Sequence, residues 1–219
     1  IFESMGRNLS ATPLLSSVVL GGSLVQVAGN SAQQAQWLPA LIGGEQRLAL
    51  AVDEQSRHDP RRIALEAKAE GQGYRLHGEK FWVVDGLGAD AYVVAARTSG
   101  QSGETQGISL FLVPADAKGL TVSALALIDS RNSARLQLDG VQLGSDALLG
   151  TLGEGWAALE TALDRGRTCL AAELLGMAEQ LFETTLEYLK TRVQFDTPIG
   201  TFQVLQHRAA QLYVDLALS

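Results

Sequence analysis

The stretch from Arg167 to Leu218 narrows the possible folds more than any other part of the chain. Leu170, Leu174, Met177, Leu181, Leu186 and Leu189 recur at steps of three to five residues, so one face of a helix is apolar. Phe202, Leu205, Ala209, Leu212 and Leu216 repeat the pattern beyond a breaker, Phe195-Asp196-Thr197-Pro198-Ile199-Gly200. Pro198 cannot continue the first helix, and Gly200-Thr201 is expected to cap the second. Two helices folded back on each other follow. At the end of the first arm, Arg192-Val193-Gln194-Phe195 presents a cation and an amide. On spacing alone this is a solvated helix C-terminus whose charge complements the dipole.

The rest of the chain divides by periodicity. Residues 9–29 read as a mostly apolar helix with Pro13 in its first turn and Gly29-Asn30 as a stop. Gly21-Gly22 inside it requires something packed close. Ser31 is expected to cap a short helix through Trp37 and Leu41, ended by Gly43-Gly44. From Arg47 to about Gly150, short β-prone runs alternate with Gly, Asp and Pro breaks. Strands are expected near residues 47–52, 63–70, 73–77, 79–84, 90–97, 107–113, 119–127 and 133–138. Three glycines between Leu149 and Trp156 mark the passage into the long helix. The expected fold class is α+β. It comprises a helical segment over 1–46, an antiparallel, barrel-like β domain over 47–150, and the start of an antiparallel helical bundle over 151–219.

Several function classes are disfavoured by what 219 residues contain. A net charge of −7 argues against a nucleic-acid partner, although a local basic cluster can still hold one nucleotide. The hydrophobic fraction of 46 % supports a large core, yet no apolar run is long enough for a membrane span. His58, His77 and His207 are scattered, without metal-ligand spacing. There is no GxGxxG, no P-loop and no GxSxG, so neither a Rossmann nucleotide site nor a hydrolase triad is supported. Cys169 is the single cysteine, which rules out an internal disulfide, and a cytoplasmic location is expected. The chain starts at Ile1 and stops inside an apolar helix at Leu218-Ser219, so an internal portion of a longer protein is expected.

Two stretches of the β region have the residue types for chemistry. Ala51-Val52-Asp53-Glu54-Gln55-Ser56-Arg57-His58-Asp59-Pro60 is a polar loop leaving a strand. In Leu76-His77-Gly78-Glu79-Lys80-Phe81-Trp82-Val83-Val84-Asp85-Gly86, strict alternation puts Phe81 and Val83 on one face and Lys80, Trp82 and Val84 on the other. A third stretch, Leu163-Asp164-Arg165-Gly166-Arg167, opens the long helical arm.

Taken together these stretches resemble the acyl-CoA dehydrogenase family. Its helical domain carries Tyr-x3-Arg-x-Gln/Thr-Phe-Gly-x-Pro-Ile-x-x-Phe-Gln. Tyr188, Arg192, Gln194, Phe195, Pro198, Ile199, Phe202 and Gln203 fall in register, with Asp196 where Gly is usual. The loop after the first strand stands where the family has Thr-Glu-Pro-x-Ala-Gly-Ser-Asp. Val52, Glu54 and Asp59 match it, Asp53 replaces the Thr, and the Gly-Ser is missing. Trp82 matches the tryptophan of Asn-Gly-x-Lys-x-Trp-Ile-Thr/Ser-Asn-Gly, while Val84 lacks the hydroxyl that the family offers to the flavin.

The resemblance implies FAD as cofactor, bound by Val52, Asp53, Trp82, Val83 and Val84 in the β region and by Arg192, Gln194, Phe195, Phe202 and Gln203 in the helical arm, where Arg192 and Gln194 reach its pyrophosphate. The latter group serves the FAD of a neighbouring same-family subunit, so a dimer or tetramer is implied. Asp164 and Arg167 are implied at the substrate, an acyl-CoA. The implied reaction forms a 2,3-enoyl-CoA, with an electron-transfer flavoprotein or similar acceptor taking the electrons. Some members place a catalytic Glu immediately before the Arg at position 167; here that residue is Gly166, so the base is expected downstream. The alternative is a partner subunit of a heteromeric enzyme whose FAD or base site has degenerated, similar to the small-subunit, pimeloyl-CoA type.

Overall fold

The computed structural model describes residues 1–219. The chain forms two compact units, one from Pro13 to Gly166 and one from Ile1–Thr12 with Arg167–Ser219. The elements begin with α1 (Phe2–Arg7), which belongs to the second unit.

The larger unit opens with a π-helical segment, Leu14–Gly22, continued by α2 (Ser23–Ala28) and α3 (Ser31–Gly43). The expected single helix is therefore a wide π turn followed by an ordinary one. The close approach anticipated at Gly21 is real: a Cβ there would lie 2.6 Å from the Leu48 Cβ. The cap of α3 is Asn30, one residue earlier than Ser31. Its Oδ1 accepts from Gln33 N, and Gln33 Oε1 accepts from Asn30 N, so two orphan amides are satisfied at once. Gly44 ends α3 at φ 71°, a left-handed position that glycine takes without penalty.

The strands are β1 (Leu48–Ala51), β2 (Glu66–Glu70), β3 (Gly73–Val84), β4 (Ala91–Arg97), β5 (Ile108–Pro114), β6 (Leu120–Ala124), β7 (Ser133–Gly144) and β8 (Leu148–Leu149). They hydrogen-bond in the order β6-β7-β3-β2-β4-β5-β8, with β1 added against β4. Two expectations need correction. The sheet is an open path with β6 and β8 at its ends, not a closed barrel. It is also mixed, because β1 pairs with β4 in parallel and β2 meets β4 in parallel at Glu66–Arg97. The long connection through the loop after β1 and the β2–β3 hairpin makes the parallel pairing possible. The two strands expected over 73–84 are one, β3, with a register shift at Leu76/His77 beside Gly78. Gly78 has φ 143°, and a Cβ there would lie 2.9 Å from Leu65 Cγ.

Every residue of β4 is buried, so successive side chains feed two cores. Ala91, Val93 and Ala95 join Leu24, Trp37, Leu41, Leu48, Leu50, Ile108, Leu110 and Leu159 between sheet and helices. Tyr92, Val94 and Ala96 join Leu65, Leu76, Val83, Phe111, Leu136 and Leu138 on the other face. At roughly 1.5–3 kcal/mol for each large aliphatic side chain, these two layers are the main source of stability.

In the second unit, α1 packs on the long helix α4 (Trp156–Thr191) through paired glycines. A Cβ on Gly176 would strike the Glu3 carbonyl, and one on Gly6 would strike the Glu173 carbonyl. Arg7 bridges Glu179 and Glu183 at 3.3 and 2.7 Å. The chain then reverses through a small hairpin, β9 (Val193–Gln194) and β10 (Thr197–Pro198), into α5 (Gln203–Leu218). The N-cap position is Phe202, and Thr201 Oγ1 donates to the Pro198 carbonyl instead of capping α5. The rings of Phe182 and Tyr213 meet across the two arms at 6.4 Å. The apolar stripe foreseen for both arms is largely uncovered: Leu174 is 54 % and Leu181 65 % exposed, and α5 buries no residue.

Candidate functional site

The end of β1 and the middle of β3 are stitched together by three successive hydrogen bonds. Lys80 Nζ donates to the Val52 carbonyl at 2.9 Å, Phe81 N to the Asp53 carbonyl at 2.7 Å, and Trp82 Nε1 to the Gln55 carbonyl at 3.0 Å. An extra residue makes this possible. Between Lys80 and Val83, strand β3 advances three positions while β7 advances two, from Leu136 to Ala134. Trp82 sits in that bulge at φ 56°. A bulky residue in the left-handed region is strained, and such strain gathers at functional sites.

The bulge overturns the facing expected from alternation. Lys80 and Val83 both point inward, at 0 % and 1 % exposure, while Trp82 and Val84 point outward at 40 % and 42 %. Of the residues expected at a cofactor ring, Trp82 and Val84 thus present side chains beside the β1 end. Val52 is buried, and the Val83 side chain lies in the sheet core, so only its main chain remains to serve a ligand. A tryptophan in this strand is not a core residue here.

The buried Lys80 is the electrostatic anchor of the site. Its Nζ lies 2.6 Å from Glu54 Oε1, and Glu54 also accepts from Ala64 N and Leu65 N at 2.8 and 3.0 Å. Burial pulls the Lys80 ammonium below the usual lysine value, against the opposing pull of Glu54. Arg97 ties down the far end of the same loop by donating to the carbonyls of Arg61, Ile63, Glu104 and Gln106; burial lowers its pKa. The start of β1 and the residue that follows β3 are held by the π-helical segment. Leu48 N donates to Ser17 Oγ at 3.0 Å, and Ser16 Oγ donates to Asp85 Oδ2 at 2.6 Å.

Asp53 turns its carboxylate into its own loop. His58 Nδ1 lies 3.0 and 2.9 Å from its two oxygens, and Asp59 N donates to Oδ1 at 3.2 Å. Beside this contact a cavity of about 320 Å³ is lined by Gln55, Ser56, Arg57, His58, Asp59 and Arg62. Residue spacing gave no sign of the roles of Lys80, Gln55 and His58. A lysine in a strand reads as solvent-facing, and a carbonyl accepting from an indole leaves no mark in a sequence.

The helical unit gathers its own group. Arg192 follows the last residue of α4, its N–H bonded to the Tyr188 carbonyl. Phe195 and Asp196 form the two-residue turn of the β9–β10 hairpin at φ 55° and 60°. Two left-handed residues are what a type I′ turn requires, which is why Gly is the usual residue at position 196. The rings of Phe195 and Phe202 meet edge to face at 6.2 Å. Arg192, Gln194, Phe195 and Gln203 are exposed within this unit, and Gln194 Nε2 donates to the Val193 carbonyl. Asp164 and Arg167 are exposed residues one turn apart on α4. At the buried Gly166 between them, a Cβ would lie 2.6 Å from Leu20 Cδ2.

Family comparison matches these parts in order. Residues 49–141 match the acyl-CoA dehydrogenase middle domain, and residues 153–219 match the acyl-CoA dehydrogenase C-terminal domain. The chain belongs to the acyl-CoA dehydrogenase family. Among particular relatives, it is 32 % identical to acyl-CoA dehydrogenase FadE27 of Mycobacterium tuberculosis, over 99 % of this chain and 54 % of that protein. It superposes with a TM-score of 0.84 on a chain of the ChsE4-ChsE5 complex from Mycobacterium tuberculosis, at 33 % identity, covering 99 % of this chain and 56 % of that one. A glutaryl-CoA dehydrogenase from Mycobacterium smegmatis in complex with FADH2 gives a TM-score of 0.84 at 29 % identity, over 92 % of this chain and 52 % of that one. The chain spans about half the length of the curated relatives it matches. No helix is long and apolar enough to cross a membrane.

The residues fit the flavin that the family implies. Trp82 and Val84 are both half-exposed at the bulge, so apolar side chains of the kind an aromatic ring packs against are open there. The exposed guanidinium of Arg192 has the planar donor fork that a pyrophosphate takes. Val84 offers no hydroxyl, so its side chain has no donor to give a ligand.

Proposed function

We propose that the protein of which this chain is part is an FAD-dependent oxidoreductase that converts an acyl-CoA thioester to its 2,3-enoyl-CoA. The observation that carries this reading is the strained, outward-facing Trp82, held by its indole N–H to the loop leaving β1. When bound, the flavin supplies acceptance of a hydride from the substrate β-carbon. Trp82 and Val84 orient its ring and keep water from that face, while Val52, Asp53 and Val83 border the ring at the strand end. Arg192 and Gln194 hold the pyrophosphate of a neighbouring subunit's FAD, with Phe195, Phe202 and Gln203 shaping the turn that carries them. Arg57, on the rim of the loop cavity, stands in for the missing Gly-Ser phosphate donors. Asp164 and Arg167 serve the acyl-CoA.

The α-proton is taken by a carboxylate outside this chain. Position 166 does not provide it, being a glycine whose outward space is filled by Leu20. In this reading residues 1–46, 47–150 and 151–219 are the functional divisions, the enzyme is an oligomer and cytoplasmic, and an electron-transfer flavoprotein is the acceptor.

A second reading keeps the fold and makes this chain part of the flavin- or base-deficient subunit of a heteromer. Asp53, Val84 and the absent Gly-Ser favour it, as does the likeness to the two-component ChsE4-ChsE5 complex. The visible spectrum of the full-length purified protein separates the two. Flavin bands in the protein alone support the first. Bands only after mixing with a same-family partner support the second, and no bands in either sample refute both.

A further inference from the structure

Asp53 is the largest departure from the family pattern, because it puts a carboxylate where a flavin ring would meet the end of β1. The structure shows what happens to that charge. Both oxygens of Asp53 face His58 Nδ1, at 3.0 and 2.9 Å, and Oδ1 also accepts from Asp59 N. A carboxylate only accepts, so Nδ1 carries the proton in this contact. The Asp53 side chain is 17 % exposed and the His58 side chain 50 %, so the imidazole closes the carboxylate off while staying on the loop surface itself.

No lysine or arginine takes this role. Lys80, reaching in from β3, is committed to Glu54 and the Val52 carbonyl, although its charge is felt at Asp53. Arg61 and Arg62 pair with Asp59 at 3.8 and 3.2 Å. Arg57 lies on the cavity rim.

We propose that His58 is a positioning residue for the cofactor. By donating from Nδ1 and so holding the Asp53 carboxylate turned along its loop, it makes this strand end compatible with a flavin, above all a reduced, electron-rich one. Asp53 and His58 are then a compensating pair. The inference rests on the flavin reading above, and it adds a residue that neither composition nor motif singles out.

The test is a double-mutant cycle in the full-length protein, with FAD titrated in and the midpoint potential measured with redox dyes. Relative to wild type, His58→Ala is expected to weaken FAD binding about tenfold, the scale of one hydrogen bond to a charged group. A further tenfold loss against the reduced form moves the two-electron potential about 30 mV more negative. Asp53→Thr alone is expected to bind FAD at least as well as wild type, and Asp53→Thr/His58→Ala is expected to recover both properties. Recovery in the double variant is what a merely structural histidine would not give. If His58→Ala fails to fold, His58→Gln, which keeps an N–H donor on a side chain of different shape, takes its place, with an intermediate loss expected. Unchanged affinity and potential in the His58 variant, or a double variant as weak as the single one, would overturn the proposal while leaving the flavin reading intact. Wild-type protein that takes up no FAD, alone or with a partner, overturns both.

Discussion

Removing the buried ammonium of Lys80 is expected to be the most damaging single change in the sheet unit. Lys80 is wholly buried and Glu54 is 11 % exposed, so the pair at 2.6 Å is barely screened. Lys80→Met leaves Glu54 with the Ala64 and Leu65 amides but no counter-charge, and strips the Val52 carbonyl of its donor. Breaking a buried pair from one side costs about 3–5 kcal/mol. For a domain of this size that is a fall in Tm of roughly 6–20 °C, followed by thermal unfolding in circular dichroism. Lys80→Met/Glu54→Gln keeps an acceptor for the two amides and removes the stranded charge, so it should recover about 1–3 kcal/mol of the loss.

The lysine also leaves a signature in pH. Burial holds its pKa below the ordinary 10.5, so above the folded value the unfolded chain binds a proton that the fold does not. Stability contributed here therefore rises as pH climbs from the folded value towards 10.5, and Lys80→Met should flatten that rise in denaturant titrations at stepped pH. A Lys80→Met protein within about 1 kcal/mol of wild type would refute the view that this pair anchors the loop.

Further changes probe the other features. Trp82→Gly relieves a positive φ while losing one hydrogen bond of about 1 kcal/mol, so the fold should be nearly unmoved while flavin absorbance is lost; a Tm drop equivalent to more than about 3 kcal/mol would contradict the strain argument. Gly176→Ala drives a methyl into the Glu3 carbonyl and should cost about 1–3 kcal/mol, with faster proteolysis within residues 1–12 as a local readout. Asp196→Gly suits the left-handed turn position and should stabilise the β9–β10 hairpin by about 1 kcal/mol, seen as slower amide exchange at Ile199, whose N–H bonds the Arg192 carbonyl. Arg75 holds the Glu70 carboxyl below its ordinary value, so that contribution is present above the unfolded pKa and is lost as pH falls through the folded one; Glu70→Gln should remove it from acid titrations.

Local chemistry was enough for much of this chain. The Gly and Pro breaks located most strands to within a few residues, though β7 runs six residues past its expected end and β8 was not foreseen; the spacing of Leu170 to Leu216 announced the helical hairpin, and Gly43-Gly44 marked the end of α3. The motifs around Arg192 and Trp82 carried the family resemblance, and the family's two domains match residues 49–141 and 153–219. Other features depended on partners far along the chain. Periodicity put Lys80 on one face with Trp82 and Val84 because it assumes one residue per position, and only the pairing of β3 with β7 reveals the extra residue that turns Trp82 out and Lys80 in. The clasp of His58 on Asp53, the parallel seat of β1 on β4 and the glycine-to-carbonyl packing of α1 on α4 are likewise outcomes of folding. A single sequence records each residue's own preferences. A bulge or a buried ion pair is set by two segments at once, and it comes into being only when the fold brings them together.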